Sequence, residues 1–161
     1  MAKSKIITLI FVSIMSLFCI VKLAMEPNVQ EVQAIGGGDN SKILLYFYDK
    51  KAKTLACEFR NIELNRIKEN LEEVLITELL KGPELPDYEA VIPESTVLKD
   101  IKKEGMKIVL DFSKEFVVEG ESEEERTKKI FAIVYTLTEI KEINEVEIRV
   151  EGEVYAVQKR I

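Results

Sequence analysis

Asp111, Ser113 and Glu115 set a hydroxyl between two carboxylates at alternate positions, a grouping that acid–base or nucleophilic chemistry could use. Such chemistry requires carboxylates whose surroundings push their pKa values apart. Alternate residues at a strand end share one environment, so turn capping by Asp111 and Ser113 is the better reading. Glu58 and Arg60 also stand two apart, on one face of any strand, and read as an ion pair or a partner contact. Cys57 has no histidine or basic cluster beside it to lower its pKa, and reads as a small buried side chain rather than a reactive thiol. Thr136, Thr138 and Glu139 read as packing and capping residues at the end of a helix. The acidic run at 121–125 lacks the Asp/Asn alternation and glycine of a calcium loop, and the glycines at 36–38 lack the spacing of a phosphate loop.

Histidine is absent from the chain, which removes the commonest general base, metal ligand and near-neutral switch together. No catalytic residue, metal or cofactor is expected. Cys19 lies in an apolar leader, leaving Cys57 alone in the remainder and no internal disulfide. With Lys3, Lys5 and Lys22 set aside, 20 basic residues face 29 acidic ones. That balance excludes nucleic-acid binding, which needs clustered Lys and Arg, and electrostatic adhesion to an anionic membrane.

The elements that must position these residues follow from periodicity. Lys3 and Lys5 precede an uncharged apolar run at 6–21, and Lys22 can snorkel so that the span extends to Met25. Residues 1–25 read as a membrane anchor or signal segment with the basic end in the cytoplasm and the rest of the chain outside. Uncleaved anchor, cleaved signal and lipoprotein all stay open, although Leu17 and Phe18 are bulky for a lipid-modification site at Cys19. Residues 26–41, with Pro27 and three glycines, read as a flexible linker.

Residues 42–161 form the folded domain. Strands are expected at 43–48 and 55–59, then a helix from Arg66 with Asn65 as its N-cap and Ile67, Leu71, Val74, Leu75 and Leu79 on its buried face. Glu78 falls mostly off that face. Gly82 and Pro83 stop the helix, Gly in the left-handed conformation and Pro without an amide hydrogen. A proline-punctuated loop at 84–95 tucks Val91 and Ile92 inward and leads to a hairpin at 97–112 that turns at Gly105. Met106, Ile108, Leu110 and Phe112 should face the core, with Lys99, Lys107 and Val109 outward. Ser122 and Glu125 form a capping box before a helix that buries Ile130, Ile133, Val134 and Leu137. Two strands joined at Glu151–Gly152 close the chain. This order, β-β-α-β-β-α-β-β, predicts a two-layer α+β domain with both helices on one face of a small, mostly antiparallel or mixed sheet.

In order along the chain, 45–48, Glu58 and Arg60, 79–83, 92–96 with Pro93 and Thr96, Asp111 to Ser113, 136–139 and 146–152 ending at Gly152 resemble the GerMN domain of the GerM family of sporulation and spore-germination proteins. The resemblance covers residues 41–155. It implies an exported or membrane-tethered, non-enzymatic domain of a spore-forming bacterium, shaped like the ring-building modules of secretion-like assemblies. The expected partners are envelope or membrane proteins, self-association included, with the N-terminal segment as the sole membrane contact. The alternative is an envelope protein that binds a small ligand or cell-wall glycan under the 84–95 loop; a wall hydrolase is a more distant third.

Overall fold

A computed structural model describes residues 40–160, so the expectations for the leader and for most of the linker lie outside the described residues. Among the described residues no helix is long and apolar enough to cross a membrane.

Strands β1 (Asn40–Asp49) and β2 (Thr54–Glu63) pair antiparallel without interruption from Asn40 opposite Glu63 to Asp49 opposite Thr54. The Asp49 carboxylate accepts the amides of Lys51 and Ala52 at 2.7 and 2.9 Å, which fixes the polar turn between them. Strand alternation buries Ile43, Leu45 and Phe47 and turns Leu44, Tyr46 and Tyr48 to the other face.

The single helix expected from Arg66 is two helices, α1 (Leu64–Glu69) and α2 (Leu71–Leu80). Asn70 is extended between them and its side chain accepts the Glu73 amide at 3.1 Å. Asn70 is thus the N-cap that Asn65 was expected to be, because a short polar side chain at an extended residue satisfies the next helix's free amides. Helix α2 ends as expected, with Gly82 at φ +79° and its amide on the Leu79 carbonyl.

A two-residue strand, β3 (Tyr88–Glu89), pairs with the end of β1. The central hairpin follows as β4 (Leu98–Glu104) and β5 (Lys107–Phe112), turning at Gly105 with φ +65°. After a short 3-10 turn at Lys114–Phe116 come α3 (Glu123–Thr138), β6 (Glu145–Val150) and β7 (Glu153–Lys159). The capping box forms: the Ser122 hydroxyl accepts the Glu125 amide at 3.2 Å and the Glu125 carboxylate accepts the Ser122 amide at 2.8 Å.

The α+β class and mixed pairing match the expectation; β5 and β6 run parallel and every other strand pair is antiparallel. The strands form two sheets, however, ordered β2-β1-β3 and β4-β5-β6-β7. They stay separate because α3 lies along the β1 edge where a further strand would pair: the Tyr46 amide donates to the Thr136 hydroxyl at 3.1 Å. Helix α2 packs on α3, β1 and β4, and α3 also reaches β6 and β7. Between them lie fully buried Leu45, Phe47, Ile76, Ile108, Leu110, Phe112, Ile133, Leu137 and Ile148. Each such side chain contributes about 1.5–3 kcal/mol relative to exposure.

Two residues of the hairpin differ from their expected positions. Met106 sits in the turn at 53% exposure, outside the alternation. Val109 points away from the core yet is only 6% exposed, since its neighbours in register there are Lys102 and Glu147, whose long side chains flank it. Replacing Ser122 with Ala removes both bonds made by its hydroxyl at the start of α3 and should lower stability by about 1 kcal/mol. A urea titration followed by circular dichroism measures it, and an unchanged midpoint would mean the box contributes nothing.

Candidate interaction surface

Strand alternation puts Glu58 and Arg60 on the inner face of β2, where they are 4% and 6% exposed. The Arg60 guanidinium donates to Glu58 Oε1 at 2.6 Å, to the Glu78 carbonyl at 2.9 Å and to the Gly82 carbonyl at 2.9 Å. Its Nε faces the Glu84 carboxylate at 3.3 Å without hydrogen-bond alignment. Glu58 Oε2 accepts the amides of Glu84 and Leu85, each at 3.0 Å. Together these bonds satisfy one carbonyl in the last turn of α2, one just past its end, and the first two amides after Pro83. Glu58, Arg60, Gly82 and Pro83, distant in sequence, therefore meet in one structural clasp.

Glu78, expected mostly off the buried face, is 3% exposed and belongs to the clasp. It accepts from Arg66 at 3.0 Å and Lys81 at 2.7 Å. Burial pushes its carboxyl up, but the hydrogen bonds from Lys81 and Arg66 outweigh burial and hold it below the ordinary 4.5. Lys129 is a second buried charge that its place on a helix did not signal. Its ammonium donates to the Phe116 carbonyl and to Glu121, both at 2.6 Å. Tyr155 donates to the same Glu121 carboxylate at 2.7 Å, and burial followed by that carboxylate pushes its phenol up to about 12.

Thr136 and Glu139 meet at Tyr46. Beyond the amide bond to Thr136, the Tyr46 hydroxyl donates to Glu139 at 2.8 Å, and burial first and Glu139 second raise that phenol well above its usual range. Asp111, Ser113 and Gly152 sit where the two hairpins of the larger sheet end side by side. Asp111 accepts the Gly152 amide at 2.9 Å and Ser113 accepts the Val97 amide at 3.1 Å. Asp111 and Ser113 are thus committed to backbone capping. Thr96 donates its amide to the Pro93 carbonyl at 2.9 Å, while its buried hydroxyl has no partner among the described residues.

The outer faces of the two sheets contrast. On the four-stranded sheet, Lys107 and Arg149 both donate to Glu147, at 2.9 and 2.6 Å, while Lys102 pairs with Asp100 and Lys159 with Glu145. That face is a lattice of opposite charges across β4, β5 and β6, with the exposed Val154 and Val157 of β7 beside Arg149 and Glu147. On the three-stranded sheet the middle of the outer face is Leu55, Cys57 and Phe59 of β2 beside Tyr48, Tyr46 and Leu44 of β1, with Lys42, Asn61 and Glu89 at its ends and Tyr135 of α3 edge-on to Tyr46 at 5.5 Å. Phe59 is 67% exposed. Cys57 is exposed too, contrary to expectation, because it lies on the outer face of the edge strand β2, while the α3 side chains Tyr135, Glu139 and Lys128 reach only the β1 tyrosines beside it. Among the described residues no group of His, Cys, Asp or Glu could hold a metal ion. An open cleft of about 510 Å³ lies between Glu89–Pro93 of the proline loop and Val118–Glu121, and the Lys128 ammonium sits 4.0 Å above the ring of Tyr48 in its wall.

The clasp yields two predictions. Arg60→Ala leaves Glu58 buried and uncompensated and should cost about 3–5 kcal/mol; in a double-mutant cycle with Glu58→Ala the two losses should be far from additive. Additive losses in urea denaturation would dissolve the clasp. Glu78, whose folded pKa is depressed, contributes stability that is present above 4.5 and lost as pH falls through its lower folded value. Melting temperature should drop steadily below pH 4.5 in the native chain and less steeply in Glu78→Gln; equal slopes would assign the acid sensitivity elsewhere.

A family model described as "Germane: Sporulation and spore germination" matches residues 44–156. Among solved structures, the chain is similar to the tandem GerMN domains of the sporulation protein GerM from Bacillus subtilis, at 16% identity and a TM-score of 0.62, over 82% of this chain and 49% of that one. It therefore spans about half the length of the tandem structure. It is also similar to the first GerMN domain of the same protein, at 21% identity and a TM-score of 0.56, over 71% of this chain and 85% of that one. No curated protein matches. With the fold in common and the family model covering most of the described residues, the chain belongs to the Germane family of sporulation and spore germination.

Proposed function

We propose that this chain is an extracytoplasmic, membrane-tethered interaction module that acts without enzymatic chemistry in assembling an envelope complex during sporulation or spore germination. The observation that carries this reading is the apolar, aromatic centre of the outer face of the β2-β1-β3 sheet, with Phe59 two-thirds exposed at its edge, on a chain with a marked acidic excess. Exposed apolar patches on soluble domains mark places where another surface docks. The family's process supplies the setting, and Lys3, Lys5 and the apolar run at 6–21 supply the tether. Of the residues first suspected of chemistry, Asp111 and Ser113 hold backbone amides.

The cleft beside Tyr48 favours a second reading, a binding site for a small ligand or wall glycan closed by the proline loop. Against sugar stacking stands Lys128, which already occupies one face of that ring. Capture from membranes of sporulating cells, with the native chain and Phe59→Glu as paired baits, separates the two readings. The interaction reading expects one or more envelope proteins on the native bait and at least a several-fold loss on the variant. Equal capture by both, together with a rise in melting temperature on adding soluble wall fragments, would replace it with the ligand reading.

A further inference from the structure

The unpaired long edge of the three-stranded sheet belongs to β2. Tyr46 directs its amide away from β2, to Thr136, so its pair with Cys57 carries no ladder hydrogen bonds. By alternation the backbone amides and carbonyls of Leu55, Cys57, Phe59 and Asn61 point to the outer side of β2, where no described strand pairs with them. The Tyr88 hydroxyl reaches the Cys57 carbonyl at 3.4 Å, a long contact that leaves that oxygen's second lone pair free.

Exposed edges are usually blocked by lysines, prolines, bulges or brevity. The edge strand β4 carries such devices: Lys99, Lys102 and Lys103, and a register shift between Leu98 and Asp100. Strand β2 carries none of them between Leu55 and Ile62 beyond the buried Glu58 and Arg60. It runs ten residues in unbroken register, and its outward side chains there are Leu55, Cys57, Phe59 and Asn61.

We propose that a second copy of this chain occupies this edge, β2 pairing antiparallel with β2 of its partner about a two-fold axis at Phe59. Charge selects that register. Centring the axis on Glu58 would set Glu58 against its own copy, and centring it on Arg60 would set the two arginines together. Centring on Phe59 sets Glu58 opposite Arg60 in both directions, Ala56 opposite Ile62 and Cys57 opposite Asn61, and joins the two exposed phenylalanine rings across the axis. The open backbone groups of Phe59 then bond to their own copies, and the two three-stranded sheets become one of six strands with a continuous outer face of Leu, Tyr and Phe. The contact is isologous and self-complementary, the form that closes as a dimer. This proposal rests on the reading of the domain as an interaction module and names its partner.

Cross-linking in membranes from cells that make the full chain tests it. Directly opposed residues of a hydrogen-bonded antiparallel pair have Cα atoms about 5.5 Å apart, within the range of roughly 4.4–6.8 Å that a disulfide spans. In a Cys19→Ser, Cys57→Ser background, Phe59→Cys should give a covalent dimer under mild oxidation in several-fold excess over Lys102→Cys on the guarded edge. Native Cys57 combined with Asn61→Cys in the Cys19→Ser background should also give dimer and serves if the Phe59 variant fails to fold; Cys57 without the second cysteine should give little. Equal dimer from Lys102→Cys, or dimer from Cys57 alone matching the designed pairs, would overturn the register. Failure of both designed pairs while the native chain still captures envelope proteins would overturn self-pairing and leave the interaction reading standing. Failure of both pairs and of capture would remove the two together.

Discussion

The fold depends on one buried guanidinium. Arg60 reaches from the edge strand of the smaller sheet to the Glu78 carbonyl of α2 and the Gly82 carbonyl just past its end, and shares a carboxylate, Glu58, with the first amides of the loop beyond. Apolar contacts could hold the same elements together, but contact area has no direction. A planar donor that must satisfy two backbone carbonyls and a carboxylate at once specifies where the helix stops and at what angle the chain leaves it. That departure angle sends the proline loop back to pair with β1, and from there the chain enters the second sheet. The ionic cluster is costly to desolvate, and its return lies more in geometry than in net free energy.

The other half of the domain is organised around α3. Its capping box, buried apolar face and two hydroxyl-bearing residues make it a three-sided wedge, touching β1 through Thr136 and Glu139, the larger sheet through Ile133 and Leu137, and the 116–121 loop through Lys129. By taking the place of a strand beside β1 it keeps the two sheets apart. That separation leaves β2 with an apolar outer face and a free edge, while the larger sheet meets solvent through paired charges and the valines of β7.

Much of this was legible in the sequence because it is local. The inward set Ile108, Leu110 and Phe112, the Ser122 and Glu125 spacing, the Gly82–Pro83 stop and the Gly105 and Gly152 turns each encode their geometry within a few residues. What escaped depends on partners remote in sequence. Glu78 and Lys129 look like solvated helix positions until Arg66, the Phe116 carbonyl and Glu121 are in place. Cys57 looks buried because an unactivated cysteine behaves as a small apolar side chain, and nothing local to it says that its face of β2 is left open. The division into two sheets turns on Thr136, whose hydroxyl accepts from a strand amide ninety positions earlier. On β2, the buried Glu58 and Arg60 could be recognised as a pair but not as a clasp, and Phe59 between them carried no sequence signal beyond being apolar.

The bonds from Tyr46 to Thr136 and Glu139 bridge separations of 90 and 93 residues. During synthesis β1 and β2 can pair almost as soon as they emerge, since their turn is short. The helix that seals the other edge of β1 appears only when nearly the whole chain has been made. For that interval the hairpin is a two-stranded ribbon with both edges open and aromatic residues along it, the state in which chains associate wrongly. Closing contacts so far apart in sequence also slows folding, because the entropy of ordering the intervening chain is lost before the contacts form. The late arrival of α3 makes the domain's vulnerability to misassembly a matter of timing, set by where one threonine lies in the chain.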